Sequence, residues 1–424
     1  MGKKTILWFL MFGLAWGGVS RVQAEEWDLK TCLELGLKHN PALRAAAEAV
    51  NGAEARVRQS RSGYYPYLFA ETDYLQSKSS SSKSVSLNPG KTELTTYYLG
   101  LSQNVYDFGR RENKIQAAQE DLKSYSWSLR DTRLSIIDAI RQAYFGVLLA
   151  EKVVQVRKED VERTKEHLRQ AQGFYQVGLK AKIDVTQAEV AVITAQKAFL
   201  QAENQRKLAW VNLAAAMGMD PPPGVSLKEE QDLPTLTGKL EDLQQEALEK
   251  DPILNRLRAI VRYWEAAEKQ ARSEFFPTLS ASAKYGRNYG TYYENDETWN
   301  VGLQLNIPLF SGFLKKNKLE EIRSALNQAK ANEESQRRTV LANLENQYLN
   351  FLLAEKQIEV ARESLRRAKE NLELAEGRYK AGVGNMLDVT DARNSFFQAE
   401  TDYYQAVYGL ITSRYKVDRA VGRE

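Results

Sequence analysis

The chain carries its own pattern twice. LLAEK occurs at 148–152 and again at 352–356, an offset of 204. At that offset Gly178 meets Gly382, and Asp184-Val185-Thr186 meets Asp388-Val389-Thr390. Nearer the start of each half the offset is 211, where HNP at 39–41 meets KDP at 250–252 and YYP at 64–66 meets FFP at 275–277. A repeat this long is no solenoid unit, so it marks a duplicated structural half. Two such halves, related by a pseudo-symmetry axis, suit a shared wall or pore.

Each half opens with a helix, at 28–62 in the first, broken at Asn40-Pro41, where proline favours the first helical turn. Strand periodicity follows. Leu68, Ala70, Thr72 and Tyr74 alternate with Phe69, Glu71 and Asp73. A serine-rich stretch at 77–91 reads as a loop, and a second strand near 94–106 completes a hairpin over about 65–106. In the second half Leu279, Ala281, Ala283 and Tyr285 alternate with Ser280, Ser282 and Lys284. After a polar loop, Trp299, Val301, Leu303, Leu305 and Ile307 alternate with Asn300, Gly302, Gln304 and Asn306, giving a hairpin over about 277–309.

A long helix follows each hairpin. From about 110 to 172 there is no proline, and Ile140, Val147, Val154, Val161, Leu168 and Tyr175 recur every seven residues. At the 204 offset they become Leu344, Phe351, Ile358, Leu365, Leu372 and Tyr379. Sustained heptads mean helices packed side by side as coiled coil. A helix of roughly 65 residues is on the order of 100 Å long, too long for a compact domain. Glycine-containing turns at 176–184 and 380–388 end these helices, and the chain returns along them. Val389, Ala392, Phe396, Ala399 and Tyr403 step by three and four, as do Val185, Ala188, Val192, Ala195 and Phe199, so each return helix offers a packing seam. The first return helix stops at MGMDPPPG, 217–224, and the chain restarts near 240 with a break at Asp251-Pro252. In sequence order, the piece after Pro252 would continue the first return helix, and the N-terminal helix at 41–62 would complete the second.

The first 24 residues look removable. Lys3 and Lys4 precede an apolar run from Ile6 to Val19 and then Val22-Gln23-Ala24, the pattern of a secretory signal peptide. The run is shorter than the roughly 20 residues of a spanning helix. The leader holds three basic residues and no acid, so the formal charge of +4 falls nearly to neutral without it, and nothing suggests nucleic-acid binding. Cys32 is the one cysteine and lies too far past the apolar run for a lipid anchor; it reads as a buried helix residue. The two histidines, His39 and His167, fall on different helices. With no phosphate-cradling loop or zinc spacing, the chain offers no enzyme chemistry and no cofactor or metal site. Domain limits follow: leader 1–24, first repeat 25–217, a connecting segment 218–240, and second repeat 241–424.

Two hairpins supply four strands. In lipid such a sheet leaves two open edges, which only closure can satisfy. Three copies would give twelve antiparallel strands, within the range of outer-membrane barrels. Apolar residues would face lipid; Glu71, Asp73, Ser282, Lys284, Asn300 and Gln304 would face water. Tyr64, Tyr65, Tyr106, Phe108, Phe275, Phe276 and Phe310 cluster at one end of the strands, and Tyr97, Tyr98, Tyr292, Tyr293 and Trp299 toward the other, as paired interfacial girdles would. A soluble sandwich with an aromatic core is the alternative, but four strands beside such long helices make a poor one.

Taken together, the duplication, the proline-led hairpins and the turns VGLKAKIDVTQA and AGVGNMLDVTDA make the chain resemble the TolC-type outer-membrane efflux proteins over nearly its whole mature length. The resemblance implies a mainly α fold: a homotrimer with a twelve-stranded barrel in the outer membrane and an α-helical barrel crossing the periplasm, girdled at mid-height by 218–240 and the C-terminal end. It implies a periplasmic adaptor and an inner-membrane pump as partners. Val177-Gly178-Leu179 and Ala381-Gly382-Val383 match the tips thought to touch the adaptor. Asp388 and Asp391 match acids that constrict the periplasmic mouth and favour cations. Asp184 matches an aspartate of the first turn, and Tyr379 a tyrosine that latches the closed mouth. Gly384 stands where a latch arginine is expected, and Ile183 where a polar partner is. Gating would swing the turn 380–388 and its helices outward. A plainer role remains for each turn, since glycines cap helices and an aspartate near a helix N-terminus is favoured by the dipole. A periplasmic coiled-coil spacer without a pore is the alternative function. The cargo, whether drug, metal ion or polypeptide, leaves little trace in a duct.

Overall fold

The structure is a computed structural model that describes residues 26–78, 91–221, 224–229, 233, 235–236 and 238–424. The signal-peptide pattern and most of the serine-rich stretch lie outside the described residues. Each half contributes four helices. In the first these are α1 (Leu29–His39), α2 (Pro41–Ser60), α3 (Arg110–Gln176) and α4 (Lys182–Met217). In the second they are α5 (Leu240–Lys250), α6 (Pro252–Ser273), α7 (Leu314–Lys380) and α8 (Met386–Val421). Both long helices have 67 residues and both return helices 36. Short strands β1 (Glu26–Trp27) and β4 (Ser226–Leu227) pair in parallel. The strands β2 (Tyr67–Lys78), β3 (Lys91–Tyr106), β5 (Thr278–Gly290) and β6 (Tyr293–Asn306) form one antiparallel sheet in that order, so β3 and β5 join the two hairpins.

The short helices start as the sequence dictates. Asn40 caps α2 by accepting from the Ala42 N–H at 2.9 Å, and Asp251 caps α6 by accepting from the Leu254 N–H at 2.7 Å. Proline follows each cap at the first helical position, where its missing N–H costs nothing. At the strand-to-helix junctions Phe108 and Gly109, and Gly312 and Phe313, adopt positive φ, turning the chain out of the sheet into α3 and α7.

Two equivalent cores lie midway along the long helices. Ile140 and Val147 of α3 are buried with Cys32, Leu213 and Met217; Leu344 and Phe351 of α7 are buried with Leu243, Leu254 and Val421. Cys32 has no exposure, and burial pushes its thiol up to about 12. The heptad continues to the end of α7, where Tyr379 is buried, but drifts off the seam in α3, where Tyr175 is exposed. There Ala171 takes the buried position.

The helical paths differ from sequence order. The end of α4 abuts the start of α2: Asn40 Nδ2 donates to the Ala216 carbonyl at 2.9 Å, and a Cβ on Gly218 would stand 2.9 Å from Asn40 Cα. The end of α8 abuts the start of α6, since a Cβ on Gly422 would lie 2.9 Å from the Lys250 carbonyl. Thus α2 continues α4, and α6 continues α8, the reverse of the expected pairing. Each return helix meets the upper piece of its own half, so the halves stay intact. Laterally, α3 packs against α4 and α8 below and against α2 and α6 above, while α7 packs against α8 and α6.

Residues paired across the sheet share a face. Leu68, Leu101, Ala283 and Val301 form one row, and Ala70, Leu99, Tyr285 and Trp299 the next, so four strands build one apolar face. The opposite face carries Glu71, Asp73, Ser282, Lys284 and Asn300. The polar loop after Tyr285 is strand, because β5 and β6 run on to a turn at 291–292, with Asn295 at positive φ beside a register shift. Where water wets both faces, alternation disappears from the sequence although the ladder persists. Consequently Tyr97 and Trp299 lie at mid-strand, where the apolar rows give way to Thr72, Arg287 and Glu297. Tyr98 belongs to the polar face, where its hydroxyl donates to Glu71.

Candidate functional site: the paired helical turns

The α3–α4 and α7–α8 turns share one construction. The first turn holds the expected tip residues Val177, Gly178 and Leu179, with Gly178 at φ 77°. The Leu179 N–H donates to the Phe174 carbonyl at 2.9 Å, closing the helix end. The second holds Ala381, Gly382 and Val383, with Gly382 at φ 81° and the Val383 N–H donating to the Arg378 carbonyl at 3.1 Å. An L-residue is strained at such angles, whereas glycine is not. No atom lies within 4 Å of a Cβ placed on either glycine, so both turns face open space. Val177, Leu179 and Val383 are exposed, giving each turn an apolar surface.

Beyond each turn stand the acids. Asp184 and Asp388 occupy the first turns of α4 and α8, where the helix dipole favours a carboxylate. Asn385 caps α8 by accepting from the Asp388 N–H at 2.8 Å, which fixes that residue's place. Asp391, one turn on, shares its helix face, and both Asp388 and Asp391 are exposed. Tyr379 sits differently. It is 1% exposed, packed against Ala171, Ala188, Met386 and Val389, with its ring edge-on to Phe174 at 5.8 Å. Its hydroxyl has no hydrogen-bond partner. Burial, with the nearby charge of Asp184, pushes that hydroxyl up. Tyr379 and Asp184 are therefore close enough to feel each other but share no hydrogen bond.

Other contacts join the halves near the turns without having stood out in the sequence. Lys180 Nζ donates to the carbonyl of Gly384 at 2.7 Å. His167 of α3 meets Glu376 of α7 at 3.3 Å, and this contact holds the Glu376 carboxyl below its usual range. Higher up, Asp160 of α3 and Arg393 of α8 pair at 3.5 Å, both buried. Burial pushes Asp160 up and Arg393 down, each against the pull of its partner.

A chain with two exposed sheet edges, two parallel tracks of staves and two capped turns at one end is a subunit of a tubular channel. It belongs to the outer membrane efflux protein family, whose sequence profile matches residues 33–219 and 243–423, one match in each half. TtgC of Pseudomonas putida, named as a probable efflux pump outer membrane protein, is 23% identical over 401 residues, covering 93% of this chain and 82% of TtgC. TolC of Escherichia coli is 23% identical over 428 residues, covering 97% and 85%. The solved outer membrane protein VceC of Vibrio cholerae superposes with a TM-score of 0.81 at 20% identity, covering 93% of this chain and 96% of VceC. The chain is thus an outer-membrane efflux channel.

Proposed function

We propose that three copies of this chain close into a passive exit duct that carries cargo from an inner-membrane pump, through a periplasmic adaptor, across the outer membrane. One observation carries the reading. The sheet ends in unpaired strands at both β2 and β6, and the helical row ends in apolar stripes at both sides. On α4 the stripe is Ile183, Val190, Ile193 and Leu200; on α7 it is Leu353, Val360 and Leu374, all exposed. Different surfaces at the two ends of an arc favour head-to-tail repetition, which closes into a ring. Closure would also satisfy the strand edges within lipid.

In this reading the repeats are 25–217 and 241–424, with 218–240 and the C-terminal end as the mid-height belt. The parallel pair β1–β4 and the Arg423–Glu246 contact support a fastened belt. Val177, Gly178 and Leu179, with Ala381, Gly382 and Val383, meet the adaptor. Asp388 and Asp391 form acidic rings at the periplasmic mouth, with Asp184 beside them, and Tyr379 wedges the two turns together. The chain catalyses nothing; the energy comes from the pump. A signal peptide delivers it, and no lipid anchors it at Cys32, which is fully buried in α1.

The test is electrical. Detergent extracts should yield a heat-resistant trimer that conducts in planar bilayers. Neutralising the rings (Asp388→Asn with Asp391→Asn) should lower cation selectivity of the closed pore. A trimer without conductance would leave a coiled-coil spacer; unchanged selectivity would remove the rings from the mouth.

A further inference from the structure

At the 204 offset, position 180 of the first turn corresponds to position 384 of the second, and in the folded chain these two positions touch. Lys180 Nζ donates to the Gly384 carbonyl at 2.7 Å and lies 3.4 Å from that of Gly382. The same ammonium stands 5.2 Å from the centroid of the Tyr379 ring. Its acceptors follow the last turn of α7, where carbonyls run out of helical partners and the dipole is negative. The turn that presents them is tightly wound. The N–H groups of Val383 and Gly384 both donate to the Arg378 carbonyl, at 3.1 and 3.0 Å. A Cβ on Gly384 would lie 3.0 Å from Tyr379 N, so this position has little room for a side chain.

We propose that Lys180 is a positioning residue of the channel mouth, clasping the α7–α8 turn to the α3–α4 turn of the same protomer and so holding the bore closed. The proposal rests on reading the turns as the periplasmic mouth. Gly384 cannot supply a cation to the first turn, and Lys180 supplies one from the opposite side. Two consequences follow. The acceptors are main-chain carbonyls, so no acidic side chain is needed and an arginine can replace the lysine. The clasp lies within one chain, so it resists parting of a protomer's two turns and leaves the contacts between protomers untouched.

Two measurements test it. In planar bilayers Lys180→Met should raise the open population of the closed-state channel roughly tenfold, as loss of one charge-assisted hydrogen bond implies. Lys180→Arg should behave as the parent, as should Lys182→Met, which alters an exposed lysine two residues on. A conducting parent with an unchanged Lys180→Met overturns the clasp. A parent that does not conduct overturns the duct reading instead, and the second measurement then decides the clasp alone. In the unaltered protein, acetic anhydride in trace amount should label Lys180 several-fold more slowly than Lys182. Equal labelling overturns the proposal, including where Lys180→Met fails to assemble.

Discussion

Asp160 and Arg393 illustrate what a duplicated chain needs at the seam between its halves. At the 204 offset Asp160 corresponds to Ser364 and Arg393 to Glu189. His167 and Glu376, which also meet across the halves, correspond to Asn371 and Gln172. Every one of these residues breaks the repeat. A seam sets one position of the first half against a different position of the second, so partners must be complementary rather than alike. In the sequence such pairs show only as positions where the halves diverge, with no motif to mark them. The Asp160–Arg393 pair is incompletely satisfied, with Asp160 Oδ1 and Arg393 Nε lacking hydrogen-bond partners. Desolvation therefore weighs heavily on both charges. Arg393→Met alone should cost about 3 kcal/mol, because it strands a buried carboxylate, whereas Asp160→Leu with Arg393→Met should regain most of that loss. Denaturant titration followed by helical circular dichroism would separate these outcomes; equal stabilities for all three proteins would remove the pair from the core.

The helix ends show which elements could be read directly. Caps and proline breaks are written in local chemistry: Asp28 caps α1, and Asn40-Pro41 and Asp251-Pro252 divide α1 from α2 and α5 from α6. The heptads likewise announced α3 and α7. The junctions stacking α2 on α4 and α6 on α8 were not readable, because they depend on contacts between segments far apart in sequence. Polar strand beyond the apolar band was invisible for a different reason, since it has no buried face to impose a period. The junctions explain why two sets of glycines differ. Gly382 and Gly218 both have positive φ, but open space surrounds the first while Pro41 Cδ and Asn40 Cα crowd the second at 2.8 and 2.9 Å. Gly382→Ala should therefore cost roughly 1 kcal/mol of backbone strain. Gly218→Ala should add an overpacking penalty of about 1–3 kcal/mol. Thermal melting should rank them in that order, and equal shifts would mean that α4 and α2 are not in contact in the assembled channel.

At the scale of the whole molecule, one chain is an arc whose two ends differ, and its surface already anticipates two solvents. The apolar rows of the sheet are exposed in the single chain, with Leu303 73% accessible and Trp299 71%. No helix among the described residues is long and apolar enough to cross a membrane. The apolar band of the sheet ends where Trp299 and Tyr285 meet Arg287 and Glu297, an aromatic-to-charged step of the kind expected at a lipid–water boundary. The two faces of β6 should then respond oppositely to the same charge. Leu303→Lys places an ammonium in the apolar rows and should destabilise membrane insertion by about 2–4 kcal/mol near the bilayer midplane. Asn300→Lys places it on the polar face, beside lumen water, and should be tolerated. Outer-membrane fractionation and the yield of heat-resistant trimer would report both. Loss of trimer with Asn300→Lys and retention with Leu303→Lys would mean that the sheet is inside out relative to this description, with its apolar face turned inward as a core.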